Sequence, residues 1–240
     1  MRVPPILRLL VLAVAVALAG GAHAAAAHPT AELRGTLQLL QDGRPVNEGV
    51  DQAIVFFTPT KKAAAGQGAA AATKAAADDP LPEMTTVHKE FRPRLLVVAV
   101  GGKVRFPNAD PILHNAFSVS GANAFDVGLY AKGPGKEVTF KEPGLVRVFC
   151  NVHMSMAAYV LVLDTPYSTS PDNRGGFTLS GLPAGPGTLS VWHERGEMQR
   201  QAVTLPVTAP LRVALPVTKP RVPRHLNKFG KAYSTDSAYR

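Results

Sequence analysis

Hydrophobic positions come in short runs cut by glycine- and proline-bearing turns, the rhythm of β-strands rather than of long helices. Residues 33–40 form the first run, Gln41-Asp42-Gly43 a turn, and residues 53–57 an apolar strand ending at Pro59. The stretch 61–80 breaks the rhythm. Ten of its twenty residues are alanine, with no apolar stripe, and it reads as an exposed, flexible loop. From residue 81 the β pattern is dense. Residues 95–100 are a wholly apolar strand, Gly101-Gly102 a turn, and residues 103–106 alternate up to Pro107. Further short strands are predicted over 115–120, 125–130, 137–140, 146–149 and 157–163, with turns at 132–135 and 142–144. A second β unit follows, with strands over 176–180, 188–193, 199–205 and 210–216. Such spacing predicts an all-β protein of sandwich or barrel type.

The two ends differ from this body. Arg2 and Arg8 flank the start of a short apolar run, which is followed by Gly20-Gly21 and Ala22-His23-Ala24. A basic start, a brief apolar stretch and a small-x-small end predict a secretory signal peptide over 1–24, and so a periplasmic protein with no stable membrane span once the leader is removed. The other end, 219–240, is polar and basic and reads as a flexible tail.

Composition sharpens this picture. Glycine and proline number 21 each among 240 residues, which disfavours long helices. The net charge of +9 invites a nucleic-acid reading, but the charge is unevenly spread. The leader holds two basic residues, and the tail six against the single Asp236, leaving 18 basic and 16 acidic residues between them. The folded body is close to neutral, so nucleic acid is not an expected partner. The sequence carries no signal for oligomeric state.

The single cysteine, Cys150, excludes an internal disulfide and a zinc site built on several thiolates. It stands in Phe149-Cys-Asn-Val-His-Met-Ser-Met156, between two strands. A thiolate, an imidazole (His153) and a thioether (Met156) at that spacing form a soft, mixed donor set suited to copper, which favours one thiolate, two imidazoles and a weak axial thioether. His114 is the candidate second imidazole, and its neighbour Asn115 a candidate to support the ligands by hydrogen bonding. No nucleophile elbow, carboxylate pair or phosphate loop accompanies them, so an enzyme is not predicted.

The stretches Val104-Arg-Phe-Pro-Asn-Ala-Asp-Pro-Ile-Leu-His114-Asn and Val148-Phe-Cys-Asn-Val-His-Met-Ser-Met156 resemble the cupredoxins, the blue-copper proteins of the plastocyanin and amicyanin type. The resemblance covers about 81–164, within an expected cupredoxin domain of 81–166. It implies a Greek-key β-sandwich with one type 1 copper at one end, His114, Cys150 and His153 as equatorial ligands, Met156 as the axial one, and Asn115 tying the ligand loops together. Many relatives have proline where this chain has Met154, which leaves a second thioether as an alternative axial donor; the spacing favours Met156.

The flanking parts resemble something else. Leu33-Arg-Gly-Thr36, Asp42-Gly-Arg-Pro-Val46 and residues 54–59 are similar to the start of a carboxypeptidase-regulatory-like, Ig-like sandwich. Gly175-Gly-Phe-Thr-Leu-Ser-Gly-Leu-Pro-Ala-Gly185 and Thr188-Leu-Ser-Val-Trp192 are similar to its later half. Residues 31–60 are thus expected to join 172–218 in a second small sandwich, with the cupredoxin unit inserted in it or packed against it. The arrangement resembles exported bacterial proteins labelled methylamine-utilisation or plastocyanin-like. It implies a one-electron carrier between redox protein partners that dock near an exposed edge of His153. The alternatives are periplasmic copper storage or delivery, and a structural β-module with a vestigial copper site.

Overall fold

The computed structural model describes residues 30–61 and 80–233. The leader expected at 1–24, most of the alanine-rich stretch and the last seven residues lie outside the described residues.

The chain enters through β1 (Thr30–Gln41), β2 (Arg44–Val46) and β3 (Ile54–Pro59). Alternation in β1 sends Leu33, Leu37 and Leu39 inward and leaves Glu32, Arg34 and Gln38 outside, the pattern of a strand buried on one face. The chain then builds a middle unit from β4 (Thr85–Val87), β5 (Glu90–Arg92), β6 (Leu95–Ala99), β7 (Lys103–Asn108), β8 (His114–Ser118), β9 (Phe125–Tyr130), β10 (Gly133–Thr139), β11 (Gly144–Phe149) and β12 (Ala157–Leu163). It ends with β13 (Ser168–Thr169), β14 (Gly176–Pro183), β15 (Gly185–Trp192), β16 (Gln199–Leu205) and β17 (Leu211–Val217). Among the described residues the only helical pieces are two short 3-10 turns, and no helix is long and apolar enough to cross a membrane. The protein is all-β.

The first and last groups of strands share one core. A sheet ordered β14-β1-β17, with β2 beside β1, faces a sheet ordered β13-β3-β15-β16. Leu33, Leu37, Leu39, Phe57, Leu189 and Leu215 pack between them. The strands on either side of the middle unit therefore complete one outer sandwich. Gly175 permits a close approach there: it has a positive φ, and a Cβ on it would meet the Leu37 carbonyl oxygen at 2.0 Å.

The middle unit is also two sheets, β10-β7-β4-β5 and β6-β12-β11-β8-β9, closed over Met84, Val104, Phe106, Phe140, Val148 and Val160. Its strand β12 is buried along its whole length because it serves two cores. Ala158, Val160 and Val162 face the middle interior, while Leu161 and Leu163 pack on Ile54 and Phe56 of β3. Beside that seam the rings of Tyr159 and Trp192 meet at 5.1 Å, and Arg94 pairs with Glu194.

Two local differences from the sequence pattern have clear causes. The β4–β5 hairpin turns through His88 and Lys89, both at positive φ. Such a turn normally announces itself by Asn-Gly or Asp-Gly, which is absent at positions 88–89. The Asp110 carboxylate holds it from outside, accepting from the N–H groups of His88 (2.7 Å) and Lys89 (2.9 Å). The expected turn at 132–135 instead opens β10. Its register against β7 shifts between Gly133 and Lys136, and Gly135 packs so closely on the Phe106 backbone that no side chain fits.

Candidate metal centre

β8, β11 and β12 are successive antiparallel neighbours, so the start of β8 and the turn joining β11 to β12 meet at one end of the middle sandwich. His114 opens β8, and Cys150 follows directly on β11. The turn is closed by Cys150 N–H donating to the Met156 carbonyl (3.3 Å) and Met156 N–H to that of His153 (3.1 Å). This brings three donors together: Cys150 Sγ lies 3.9 Å from His114 Nδ1 and 3.8 Å from His153 Nδ1. The three donor atoms lie within 4.8 Å of one another, and all three residues are buried.

These separations are long for a strong hydrogen bond. They suit donors arranged around one ion: bonds of ~2.0 Å to nitrogen and ~2.3 Å to sulfur, meeting at about 120°, would hold N and S roughly 3.7 Å apart. The donor set therefore fits a soft metal such as copper.

The surroundings prepare each donor. His114 Nε2 lies 2.8 Å from Asp110 Oδ2, which orients the ring and turns Nδ1 toward the sulfur. Burial pushes the Asp110 carboxyl up, but the N–H groups of Lys89 and His88, together with His114, outweigh it and hold the group below its ordinary range. Asn108 braces the loop from within. Its Oδ1 accepts from Asp110 N–H (2.9 Å) and from Thr86 Oγ1 (3.1 Å), and its Nδ2 donates to the Ile112 carbonyl (2.9 Å). Burial raises the Cys150 thiol, opposed by backbone N–H groups of Asn115, Val152 and His153. Burial also lowers His153, with a smaller push from His114 and Lys89, so its imidazole is kept neutral and able to ligate.

Asn115 spans the two ligand-bearing segments. Its Oδ1 accepts from Asn151 N–H (3.3 Å), and its Nδ2 donates to Asp126 (2.8 Å) and to the Gly128 carbonyl (2.9 Å). The two thioethers part company. Met156 is 1% exposed and shares the apolar cluster of Cys150, whereas Met154 is 58% exposed. His153 keeps 6% exposure and His114 none, so of the two imidazoles His153 lies nearer the surface.

Sequence reasoning did not single out Asp110 and Asn108. Their signal was an Asn-x-Asp pair in a proline-bearing loop four residues ahead of a candidate ligand. It also read 219–240 as a flexible tail. As far as Tyr233 that segment lacks regular structure but is bound to the ligand turn: Tyr233 Oη donates to the Cys150 carbonyl (2.9 Å) and Lys228 N–H to Asn151 Oδ1 (2.9 Å). Backbone groups, the Tyr233 hydroxyl, the His225 ring stacked on Phe149 and the Lys228–Asp126 ion pair hold it, and none of these needs a run of apolar residues.

No family model matches the chain, and no curated protein matches it. Solved structures do. The chain is similar to a proline-to-glycine variant of amicyanin in its reduced Cu(I) form at pH 4, at 26% identity and a TM-score of 0.33, over 37% of this chain and 89% of that one. It is similar over the same shares to a reduced tryptophan-to-tyrosine amicyanin variant, at 25% identity and a TM-score of 0.33. Each likeness covers 37% of this chain. The donor set itself has to speak for the chemistry.

Proposed function

We propose that this protein is an exported, non-enzymatic one-electron carrier with a single type 1 copper held by His114, Cys150 and His153, with Met156 as the weak axial donor. The observation that carries the reading is the buried Cys150 thiol with two imidazole nitrogens facing it at 3.8 and 3.9 Å. Copper, when bound, would supply one-electron chemistry by alternating between two oxidation states. The chain's own residues do the rest. N–H groups around the sulfur favour its thiolate, Asp110 fixes the His114 ring, and the apolar cluster around Met156 excludes water. Strands on both sides hold the turn, which suits a site that must change little between redox states. The burial of Met156 beside Cys150, against the exposure of Met154, favours Met156 as the axial donor. The thin exposed edge of His153 suits it to face redox protein partners, and the leader-like sequence at 1–24 supports a periplasmic location.

One observation favours a second reading, copper delivery: the exposed Met154 thioether beside His153 could offer Cu(I) to an acceptor. Repeated chemical reduction and reoxidation of the copper-loaded protein separates the two. A carrier keeps its metal through many cycles, and a delivery protein loses Cu(I) to a soft chelator on the first reduction. Failure to take up copper at all would sink both.

A further inference from the structure

The last described segment crosses from one sandwich to the other. It leaves β17 at Val217 and is anchored there, Thr218 N–H donating to the Arg195 carbonyl and the Thr218 carbonyl accepting from Arg195 Nε, both at 2.8 Å. It then reaches the donor end of the middle sandwich, where three consecutive residues of the ligand strand each receive a partner. The His225 ring stacks on Phe149, centroids 3.9 Å apart and planes 9° from parallel. Tyr233 Oη donates to the Cys150 carbonyl, and Lys228 N–H donates to Asn151 Oδ1. The Lys228 ammonium also pairs with Asp126 at 2.6 Å. Asp126 holds Asn115, Asn115 holds Asn151 N–H, and Asn151 returns to Lys228, which closes a ring of contacts around the peptide that follows Cys150. Between these contacts the strap folds on itself, Asn227 Oδ1 accepting from the N–H groups of Phe229 and Lys231 at 3.0 Å.

We infer that residues 218–233 are a positioning strap: His225, Lys228 and Tyr233 clamp the Phe149-Cys150-Asn151 backbone from outside and hold the thiol in place, with the outer sandwich as the fixed anchor. None of the three is a proposed ligand. They act through the backbone of Cys150 and through its two neighbours. The strap also gives the outer sandwich a role in the site, because that unit sets where the strap begins. The inference rests on the copper reading only for its consequence; none of the clamping contacts is made by a proposed ligand atom.

The test uses the full-length chain in metal-free form and follows labelling of Cys150, the only thiol, by DTNB under native conditions. Loss of one net hydrogen bond in Tyr233→Phe is expected to speed labelling about fivefold. His225→Ala combined with Tyr233→Phe should speed it by roughly tenfold or more. His225→Phe, which keeps a flat ring on Phe149, should retain the slow rate, a rescue that general loss of stability does not predict. Leu205→Ala, in the core of the outer sandwich, serves as a control that lowers stability without touching the clamp and should leave native labelling slow. In the copper-loaded protein the same double variant should shift the visible absorption band, and His225→Phe should not. Labelling and band both unchanged in the double variant would overturn the strap while leaving the copper reading intact. Faster labelling in a protein that takes up no copper would uphold the strap and remove the copper reading.

Discussion

The outer sandwich fills its interior with Leu33, Leu37, Leu39, Phe57, Leu189 and Leu215, whereas the middle one gives up one end of its interior to His114, Asn115, Cys150 and His153. Each unit also buries histidine, and there the contrast is most informative. His193 of the outer unit has both ring nitrogens served by the backbone: Nε2 lies 3.1 Å from the Gly49 carbonyl, and Nδ1 accepts from Arg195 N–H at 3.1 Å. That is a histidine used as structure. His114 and His153 instead turn a nitrogen toward a thiol too distant for a strong hydrogen bond. A fold gains little stability from such an arrangement, because buried polar groups without good partners cost free energy. His193 completes a fold, whereas His114 and His153 each set a ring nitrogen beside a thiol.

The largest predicted effect is in the apolar unit. Phe57→Ala empties the centre of the outer core and should cost about 3–5 kcal/mol in urea denaturation of the metal-free protein. A much smaller loss would mean that the outer unit is not the filled body that its burial implies. Next comes Asn115→Ala, which leaves Asn151 N–H and the Gly128 carbonyl without their partner. It should cost about 1–3 kcal/mol in the same experiment and weaken copper retention. Cys150→Ala should cost the metal-free protein only about 1 kcal/mol. It should nevertheless abolish the rise in thermal midpoint that copper gives the parent protein, since a ligand that binds only the folded state stabilises it. A large loss without metal would make Cys150 an ordinary core residue.

The smallest effect is one of pH. Burial, and then Arg195, hold the His193 imidazole below its ordinary value of 6.5, although Glu194, Asp51 and the Gly49 carbonyl oppose them. A lowered folded-state value means that the unfolded chain binds more protons, so this contribution is complete above pH 6.5 and is lost as pH falls through the folded value. Thermal midpoints of the parent and of His193→Gln, measured downward from pH 6.5, should converge as the parent loses this contribution. Parallel curves would show that His193 is not held neutral by the fold.

Much of this was legible in the residue pattern. Strand β1 was legible as the first hydrophobic run and β12 as a short strand; the structure adds that β12 is buried throughout because it serves two cores. The spacing of Cys150, His153 and Met156 exposed the turn because a thiol, an imidazole and a thioether stand within seven residues. His114, 36 residues before Cys150, could be proposed only from what the chemistry required. Other contacts had no local signature. The β4–β5 hairpin turns without a turn dipeptide because Asp110, more than twenty residues away, supplies the acceptors. The strap resembled a solvated tail because its attachments are backbone groups, a stacked ring, a hydroxyl and one lysine ion pair, all of which look ordinary in a polar sequence.

The proposed copper site rests on Cys150 and two imidazoles. The most direct test is a Cu(II) titration of the metal-free, full-length protein followed by visible absorption, beside Cys150→Ala. An intense blue band should saturate at one equivalent in the parent and be absent from the variant. A parent protein that stays colourless, or a band that survives loss of the thiol, would contradict that site.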